Sequence, residues 1–84
     1  MSLADLSLPS LPAETQARLD NWFSHHPPAD MAVAARYERI RAAGKALAEV
    51  ISRETPPSAD QTAAVRKVRE AVMTANAAIA CGGR

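Results

Sequence analysis

Prolines divide this sequence into three stretches that are long enough to form helices. Pro9 and Pro12 lie near the start, Pro27–Pro28 follow the first stretch, and Pro56–Pro57 separate the two longest periodic stretches. Proline has no backbone N–H, and its ring clashes with the preceding helical turn, so it marks helix ends more often than helix interiors. The sequence therefore predicts an N-terminal helix over residues 11–24, a connection over 25–30 and two further helices within 31–81.

Residues with capping chemistry stand at these predicted helix ends. Ser10 is a candidate cap for the first helix, and Asp30 is a candidate cap for the second. Ser58 with Gln61 three residues later has the signature of a capping box, in which the two side chains satisfy each other's backbone N–H groups. Gly82–Gly83 is expected to stop the last helix, because glycine adopts the left-handed conformation that closes many helices.

Apolar residues recur alternately four and three residues apart in both long stretches, which indicates two helices packed along a seam. The seam residues are Val33, Tyr37, Ile40, Gly44, Leu47 and Ile51 in the second helix and Val65, Val68, Val72, Ala75 and Ile79 in the third. The connection between these helices is short, so they must pack antiparallel as a hairpin. Gly44 costs about 1 kcal/mol of helix propensity relative to alanine, which predicts a close helix approach there.

Chain length indicates that the protein associates with copies of itself. A single domain of 84 residues buries only a modest core, and here alanine supplies much of the apolar surface. The first helix adds an apolar side at Leu11, Thr15, Leu19, Trp22 and Phe23. Ala64, Ala71 and Ala78 form a strip of small residues beside the seam, which is suited to a neighbouring subunit. We therefore predict an all-α fold, a short N-terminal helix followed by an antiparallel hairpin, that forms a homo-oligomer.

Composition argues against several classes of function. The formal net charge is +1, which is low for a protein that binds duplex nucleic acid. Cys81 is the one cysteine, so no internal disulfide is expected, and together with the adjacent pair His25–His26 it does not make a metal site. No nucleophile, base and acid fall into a catalytic pattern, and no stretch has the length of a membrane span. We expect a cytoplasmic protein without enzymatic activity, metal or cofactor.

A basic stripe on the third helix is the first candidate for a binding site. Arg66, Arg69, Met73 and Asn76 follow helical spacing, so two guanidinium groups and an amide project from one side. The planar fork of arginine matches phosphate oxygens, and asparagine can both donate to and accept from a base edge. The alternative interpretation is a solvated face in which Glu70 is a nearby partner for the arginines.

Ring-bearing residues are the second candidate. Phe23, His25, His26 and Pro28 fall in one helix-to-helix connection, and flat rings can stack on nucleobases. The alternative is that Trp22 and Phe23 anchor a core while the prolines turn the chain. Tyr37, with Arg36, Arg41 and Lys45 around it, is a candidate for a pocket shared by two protomers, although a place in the core is its default role. The candidate binding residues are Phe23, His25, His26, Pro28, Tyr37, Arg41, Lys45, Arg66, Arg69 and Asn76.

Five blocks of the sequence resemble the phage anti-CBASS sponges, whose hairpin domain is shared with anti-Thoeris sponges. The blocks are residues 36–41 (RYERIR), 42–49 (AAGKALAE), 56–58 (PPS), 70–73 (EAVM) and 75–80 (ANAAIA). The last block is the most specific, and the resemblance covers roughly residues 23–81 without the opening helix. Two positions depart from the family: His25 stands where the family usually has tyrosine before His-Pro, and Thr74 stands where it often has tryptophan.

The resemblance implies a homohexamer that binds and sequesters the cyclic nucleotide messengers of bacterial immunity. Such ligands include cyclic dinucleotides such as cGAMP, held between paired subunits, and cyclic trinucleotides such as cyclic tri-adenylate, held where three subunits converge. A threefold axis could then place one guanidinium of Arg66 or Arg69 on each phosphate of a cyclic trinucleotide. The alternative function is a helical interaction module of a phage, in which the alanine-rich strips dock onto a host protein.

Overall fold

The computed structural model describes residues 9–84, and these residues form three α-helices and no β-strand. The helices are α1 (Ala13–Trp22), α2 (Met31–Glu54) and α3 (Ala59–Ala80). The prediction of an all-helical chain with three helices is thereby confirmed for this part of the chain. The first helix is shorter than the predicted range 11–24. The prediction of one domain over residues 1–84 also includes residues 1–8, which lie outside the described residues.

Capping side chains explain where the two long helices begin. The Asp30 carboxylate accepts a hydrogen bond from the Val33 N–H at 2.9 Å, and the Ser58 hydroxyl accepts one from the Gln61 N–H at 3.1 Å. Both predicted caps are thus confirmed. The prediction for Ser10 is wrong, because Pro12 occupies the cap position of α1 and no side chain caps that helix. Ser10 stands two residues too early for its hydroxyl to serve as the cap.

The turn between α2 and α3 departs from the predicted capping box. The Gln61 side chain does not bond back to Ser58. Its amide instead donates to the Ser52 carbonyl at 3.1 Å and to the Thr55 carbonyl at 3.0 Å. Carbonyls in the last turn of a helix have no partner within the helix, so this side chain satisfies groups that would otherwise face water. Gln61 therefore ties the first turn of α3 directly to the end of α2.

The seam between α2 and α3 is the main contact within the chain. The predicted seam residues are half-buried, with one exception: Leu47 is 52% exposed. Half-buried Ala48 takes its place in the seam. The predicted spacing assumed 3.5 residues per turn, whereas a straight α-helix has 3.6, so the contact stripe drifts by one position towards the end of α2.

Gly44 lies where the two helices approach most closely. A Cβ atom at this position would overlap the Cγ2 methyl of Val72, and it would lie 3.8 Å from Cγ1 of Val68. Valine has few side-chain conformations in a helix, so Val72 cannot easily move aside. The predicted role of Gly44 in a close helix approach is confirmed, and its contact with Val72 sets the register of the hairpin.

The end of α3 has the geometry of a Schellman motif. Gly82 and Gly83 have φ angles of 65° and 74°, and their N–H groups donate to the carbonyls of Ile79 and Ala78 at 3.2 and 2.9 Å. These bonds satisfy carbonyls that would otherwise be left without partners. The predicted stop at Gly82–Gly83 is confirmed. Cys81 precedes the glycines and, at 9% exposure, is the one buried hydrophobic residue among residues 9–84.

Helix α1 attaches to this end of α3 mainly through polar groups. The Asn21 amide donates to the Cys81 carbonyl at 3.2 Å, and the Trp22 indole N–H donates to the Arg84 carbonyl at 2.8 Å. Trp22 remains 50% exposed and Phe23 84% exposed. The alternative in which these two rings anchor a core is therefore wrong for the single protomer, because at least half of each side chain faces solvent.

Large apolar side chains stay exposed along much of the described chain, and they include residues from all three helices. They are Leu11, Trp22, Phe23, Met31, Leu47, Val50 and Met73. Single exposed apolar residues are common, but a chain whose seam is only half-buried leaves an unusual amount of apolar surface in water. Across residues 9–84, none of the helices combines the length and the hydropathy required to cross a bilayer.

Candidate functional site

Among residues 9–84, the basic residues of α3 have no carboxylate partner. The ion pairs found among residues 9–84 join Arg41 to Glu38 at 2.6 Å and Arg53 to Glu49 at 3.0 Å, and all four residues belong to α2. Within this part of the chain, no carboxylate lies within 4.0 Å of the Arg66 or Arg69 guanidinium or of the Lys45 ammonium. The proposed pairing of the α3 arginines with Glu70 is therefore wrong.

A groove on one face of the hairpin has an almost wholly apolar lining, to which two of these basic residues belong. We call it the basic groove, and its cavity has a volume of about 210 Å³. Helix α2 contributes Gly44, Lys45 and Ala48, and α3 contributes Val65, Val68, Arg69, Val72 and Met73. Lys45 follows the glycine at the close approach of the helices, and Arg69 follows Val68, which faces that glycine. The register set by Gly44 therefore places both cations beside the same floor of valines.

The basic groove has the chemistry to hold an anion that carries a flat apolar part. Lysine offers a compact positive charge, and arginine offers a planar fork that can bond two phosphate oxygens at once. The valine floor and the 60% exposed Met73 offer apolar and polarizable contacts for a ring.

A second cavity lies under the connection between α1 and α2. We call it the histidine pocket, and its volume is about 280 Å³. The connection contributes His25, His26, Pro27 and Ala29, α2 contributes Val33, Arg36 and Tyr37, and α3 contributes Ile79 and Ala80. Two imidazoles, a phenol and a guanidinium therefore line one space whose remaining lining is apolar. Rings of this kind stack on other flat rings, and arginine can add a charge-assisted hydrogen bond.

One imidazole of the histidine pocket is held in place by a hydrogen bond. His26 Nε2 lies 2.6 Å from the Asn21 carbonyl oxygen. A carbonyl oxygen can only accept, so we assign the proton to Nε2. Nδ1 is then the nitrogen left for other partners, and in the neutral ring it is an acceptor. The half-buried His26 is thus both oriented and fixed in its tautomer.

The structure groups the predicted binding residues in two places. His25, His26 and Tyr37 line the histidine pocket, and Lys45 and Arg69 line the basic groove. The predicted residues that line neither cavity are Phe23, Pro28, Arg41, Arg66 and Asn76. Tyr37 with Arg36, Arg41 and Lys45 was expected to line a pocket shared by two protomers, and that pocket stays a prediction. Within one protomer, Arg36 and Tyr37 line the histidine pocket and Lys45 lines the basic groove.

Arg36 was expected near Tyr37 but was not among the candidate binding residues. It stands beside Tyr37 in the chain, so adjacency was its available signal, but only the fold shows that it lines the histidine pocket while Arg41 does not. Val33, Ile79 and Ala80 were expected, if at all, as packing residues. They line the pocket because the start of α2 and the end of α3 lie at the end of the hairpin that the connection covers.

Asn76 presents an unusual acceptor. Its Oδ1 atom is buried and has no hydrogen-bond partner among residues 9–84. A buried polar atom without a partner costs about 1–3 kcal/mol, so a donor supplied from outside the protomer would relieve that cost. A role for Asn76 in binding stays a prediction, as it does for the other predicted residues.

Comparison with known proteins gives one match. The model of a family described as the Acb2/Tad1 hairpin domain matches residues 15–80, which include most of α1 and all of α2 and α3. A search of curated proteins found no significant match, and a search of solved structures found none either.

Proposed function

The chain belongs to the Acb2/Tad1 hairpin family of anti-CBASS and anti-Thoeris sponges, and from that premise we propose that it sequesters cyclic di- and trinucleotide immune messengers. Members of this family are binding proteins of the sponge type and are not known as enzymes. In this proposal the protein acts in the cytoplasm of an infected bacterium, and it keeps messengers such as cGAMP and cyclic tri-adenylate from reaching their effector.

The observation that carries the proposal is that Lys45 from α2 and Arg69 from α3 both belong to the lining of the basic groove, beside its apolar floor. Both cations lack a carboxylate partner among residues 9–84, so an incoming phosphate need not displace an internal ion pair. A cyclic oligonucleotide combines phosphates with flat bases, and the groove combines cations with valines and a methionine. We assign the phosphates of a cyclic trinucleotide to this groove.

The histidine pocket supports a second binding mode. Its lining of His25, His26 and Tyr37 suits the faces of nucleobases, and Arg36 suits a phosphate. We assign a cyclic dinucleotide to this pocket. One protomer covers only one side of such a ligand, since both cavities are open to solvent, and a second protomer would complete the enclosure.

Assembly as a homohexamer completes this proposal. The protomer has one buried hydrophobic residue among residues 9–84, and it exposes large apolar side chains such as Leu47, Val50 and Met73. Association of several copies would cover this surface and gain about 25 cal/mol for each Å² of apolar area removed from water. Symmetry would also repeat Arg69 around an axis, so a protomer of net charge +1 would form a strongly basic site.

Calorimetry and native mass spectrometry test the proposal directly. Purified protein is titrated with a panel of cyclic di- and trinucleotides, and mass spectra of free and loaded protein give the number of protomers and ligands. We expect heat with at least one cyclic oligonucleotide and complexes of six protomers. A protein that gives neither heat nor a thermal shift with the whole panel would instead favour the host-protein interaction module.

A pair of arginine variants sharpens the test. Arg69→Ala should weaken binding of cyclic tri-adenylate about 10- to 100-fold, because a hydrogen bond to a charged group contributes about 1.5–3 kcal/mol. Arg39→Ala removes the same charge from an exposed position of α2 that lines neither cavity and is not a candidate binding residue, and it serves as the control. Native mass spectra should show the same assembly for both variants. Equal losses for the two would point to general charge attraction rather than to the groove.

A further inference from the structure

Asn21 connects three parts of the chain at the end of α1. Its side-chain amide donates to the Cys81 carbonyl at 3.2 Å, which lies at the end of α3. Its backbone carbonyl accepts from His26 Nε2 at 2.6 Å, and the Cys81 thiol lies 3.9 Å from the same oxygen. Asn21 is half-buried, and Cys81 is buried. Asn21 thus donates to Cys81 through its side chain, and its backbone carbonyl accepts from Cys81 and from His26 of the histidine pocket.

These contacts have a consequence for the pocket. The side-chain bond to Cys81 fixes the end of α1 against α3, and that end carries the carbonyl to which the His26 imidazole is bonded. Ile79 and Ala80, directly before Cys81, line the same pocket. The position of one pocket wall relative to the other therefore depends on this attachment, in which the Asn21 amide bonds to Cys81 and the Trp22 indole bonds to Arg84. The basic groove, formed by residues 44–48 and 65–73, contains no residue of this contact.

We infer that Asn21 is a positioning residue for the histidine pocket: by bonding the end of α1 to the cap of α3, it holds His26 in the orientation and the Nε2–H tautomer that a cyclic dinucleotide meets. The identity of the ligand in this inference rests on the proposed function, whereas the hydrogen bonds of Asn21 and His26 do not depend on it. His26 Nδ1, the remaining acceptor, would then favour a ligand with an exocyclic amine or a ring N–H, both of which nucleobases carry.

Two variants of Asn21 and one control test the inference. Asn21→Asp keeps the shape but replaces the donating amide with a carboxylate that cannot donate to the Cys81 carbonyl. Asn21→Ala removes the amide without adding a charge. Gln16→Glu is the control, because it makes the same amide-to-carboxylate change on α1 at an exposed side chain that, among residues 9–84, bonds only to Asp20 of the same helix. All three are assayed as the full chain.

The first readout is the tautomer of His26, measured by long-range ¹H–¹⁵N NMR without any ligand. We expect the Nε2–H form in the wild type and in Gln16→Glu, and a mixture of tautomers in both Asn21 variants. The second readout is calorimetry with cGAMP and with cyclic tri-adenylate. The Asn21 variants should bind cGAMP about five- to tenfold more weakly, the effect of roughly one lost hydrogen bond, and should bind cyclic tri-adenylate like the wild type.

Each other outcome has a definite meaning. An unchanged His26 tautomer in the Asn21 variants overturns the inference, and so does unchanged cGAMP affinity in variants of a protein that binds it. Equal weakening of both ligands also overturns it, because a general loss of structure would act on both cavities. If the wild type binds neither cyclic nucleotide, the proposed function fails, and the tautomer readout alone then decides whether Asn21 positions His26.

Discussion

The hairpin and helix α1 are held in place by different kinds of contact. Helices α2 and α3 interdigitate along a seam of valines, isoleucines and alanines, with Gly44 directly against Val72. Helix α1 is joined to α3 near one end, mainly by donors from Asn21 and Trp22 to backbone carbonyls. The seam spreads its contacts over many residues, whereas the attachment of α1 depends on a few.

Because of this difference, the two parts of the protein need not unfold together. Segments with few buried apolar contacts open with a free energy below that of the whole protein. The connection that lines the histidine pocket belongs to the weakly attached part, and the basic groove belongs to the hairpin. Substitutions in the hairpin and in the attachment of α1 therefore test whether the two parts differ in stability.

Gly44→Leu should have the largest effect. The added side chain would overlap Val72 across the closest approach of the helices. Overpacking lowers the free energy of unfolding by about 1–3 kcal/mol, and we expect the upper value here. For a chain of this size, the Tm followed by circular dichroism should fall by more than about 10 °C. Ala42→Leu is the control, because Ala42 is exposed two residues away. A Gly44→Leu protein as stable as this control would contradict the close packing of the hairpin.

Ser58→Ala should have an intermediate effect. It removes the hydroxyl that accepts from the Gln61 N–H, and loss of such a cap costs about 1 kcal/mol. Ser52→Ala is the matched control. The Ser52 hydroxyl bonds back to the Ala48 carbonyl within α2, an arrangement that gives a helix little stability. Urea unfolding should show a lower midpoint for Ser58→Ala alone. Equal midpoints would mean that the Ser58 cap contributes nothing measurable to the free energy of unfolding.

Trp22→Phe should have the smallest effect on global stability. It keeps a large aromatic ring but removes the indole N–H that donates to the Arg84 carbonyl. We expect a change of less than about 0.5 kcal/mol in the free energy of unfolding, with faster hydrogen exchange for the amides of α1 and unchanged exchange within α2 and α3. A loss of stability equal to that of Ser58→Ala would show that α1 and the hairpin form one cooperative unit.

Local sequence signals predicted much of the fold. Asp30, Ser58 and Gly82 act within a few residues of themselves, so their chemistry could be interpreted without knowing the rest of the structure. Gly44 was informative because glycine destabilises a helix relative to alanine, so its presence there indicated a packing role. The errors have physical causes as well. The seam contains Ala48 instead of Leu47 because an α-helix has 3.6 rather than 3.5 residues per turn, and Pro12 rather than Ser10 occupies the cap position of α1.

The candidate site was less accessible to prediction, because it combines residues from different helices. Lys45 and Arg69 could each be recognised as a basic residue on a helix. Their place in the lining of one groove depends on the register that Gly44 and Val72 set. His25, His26 and Tyr37 share a pocket because the connection folds over the ends of α2 and α3. Neither fact is contained in the spacing of residues within a single helix.

The indole of Trp22 makes the attachment of α1 optically visible. The chain has one tryptophan, its N–H faces the Arg84 carbonyl, and the Arg18 guanidinium lies 5.5 Å from its ring centre. Fluorescence emission from this protein is therefore dominated by one position, at the junction of α1 and α3. A change in its wavelength or quenching during a titration would report movement at that junction without any added label, and a ligand confined to the basic groove should leave the spectrum unaltered.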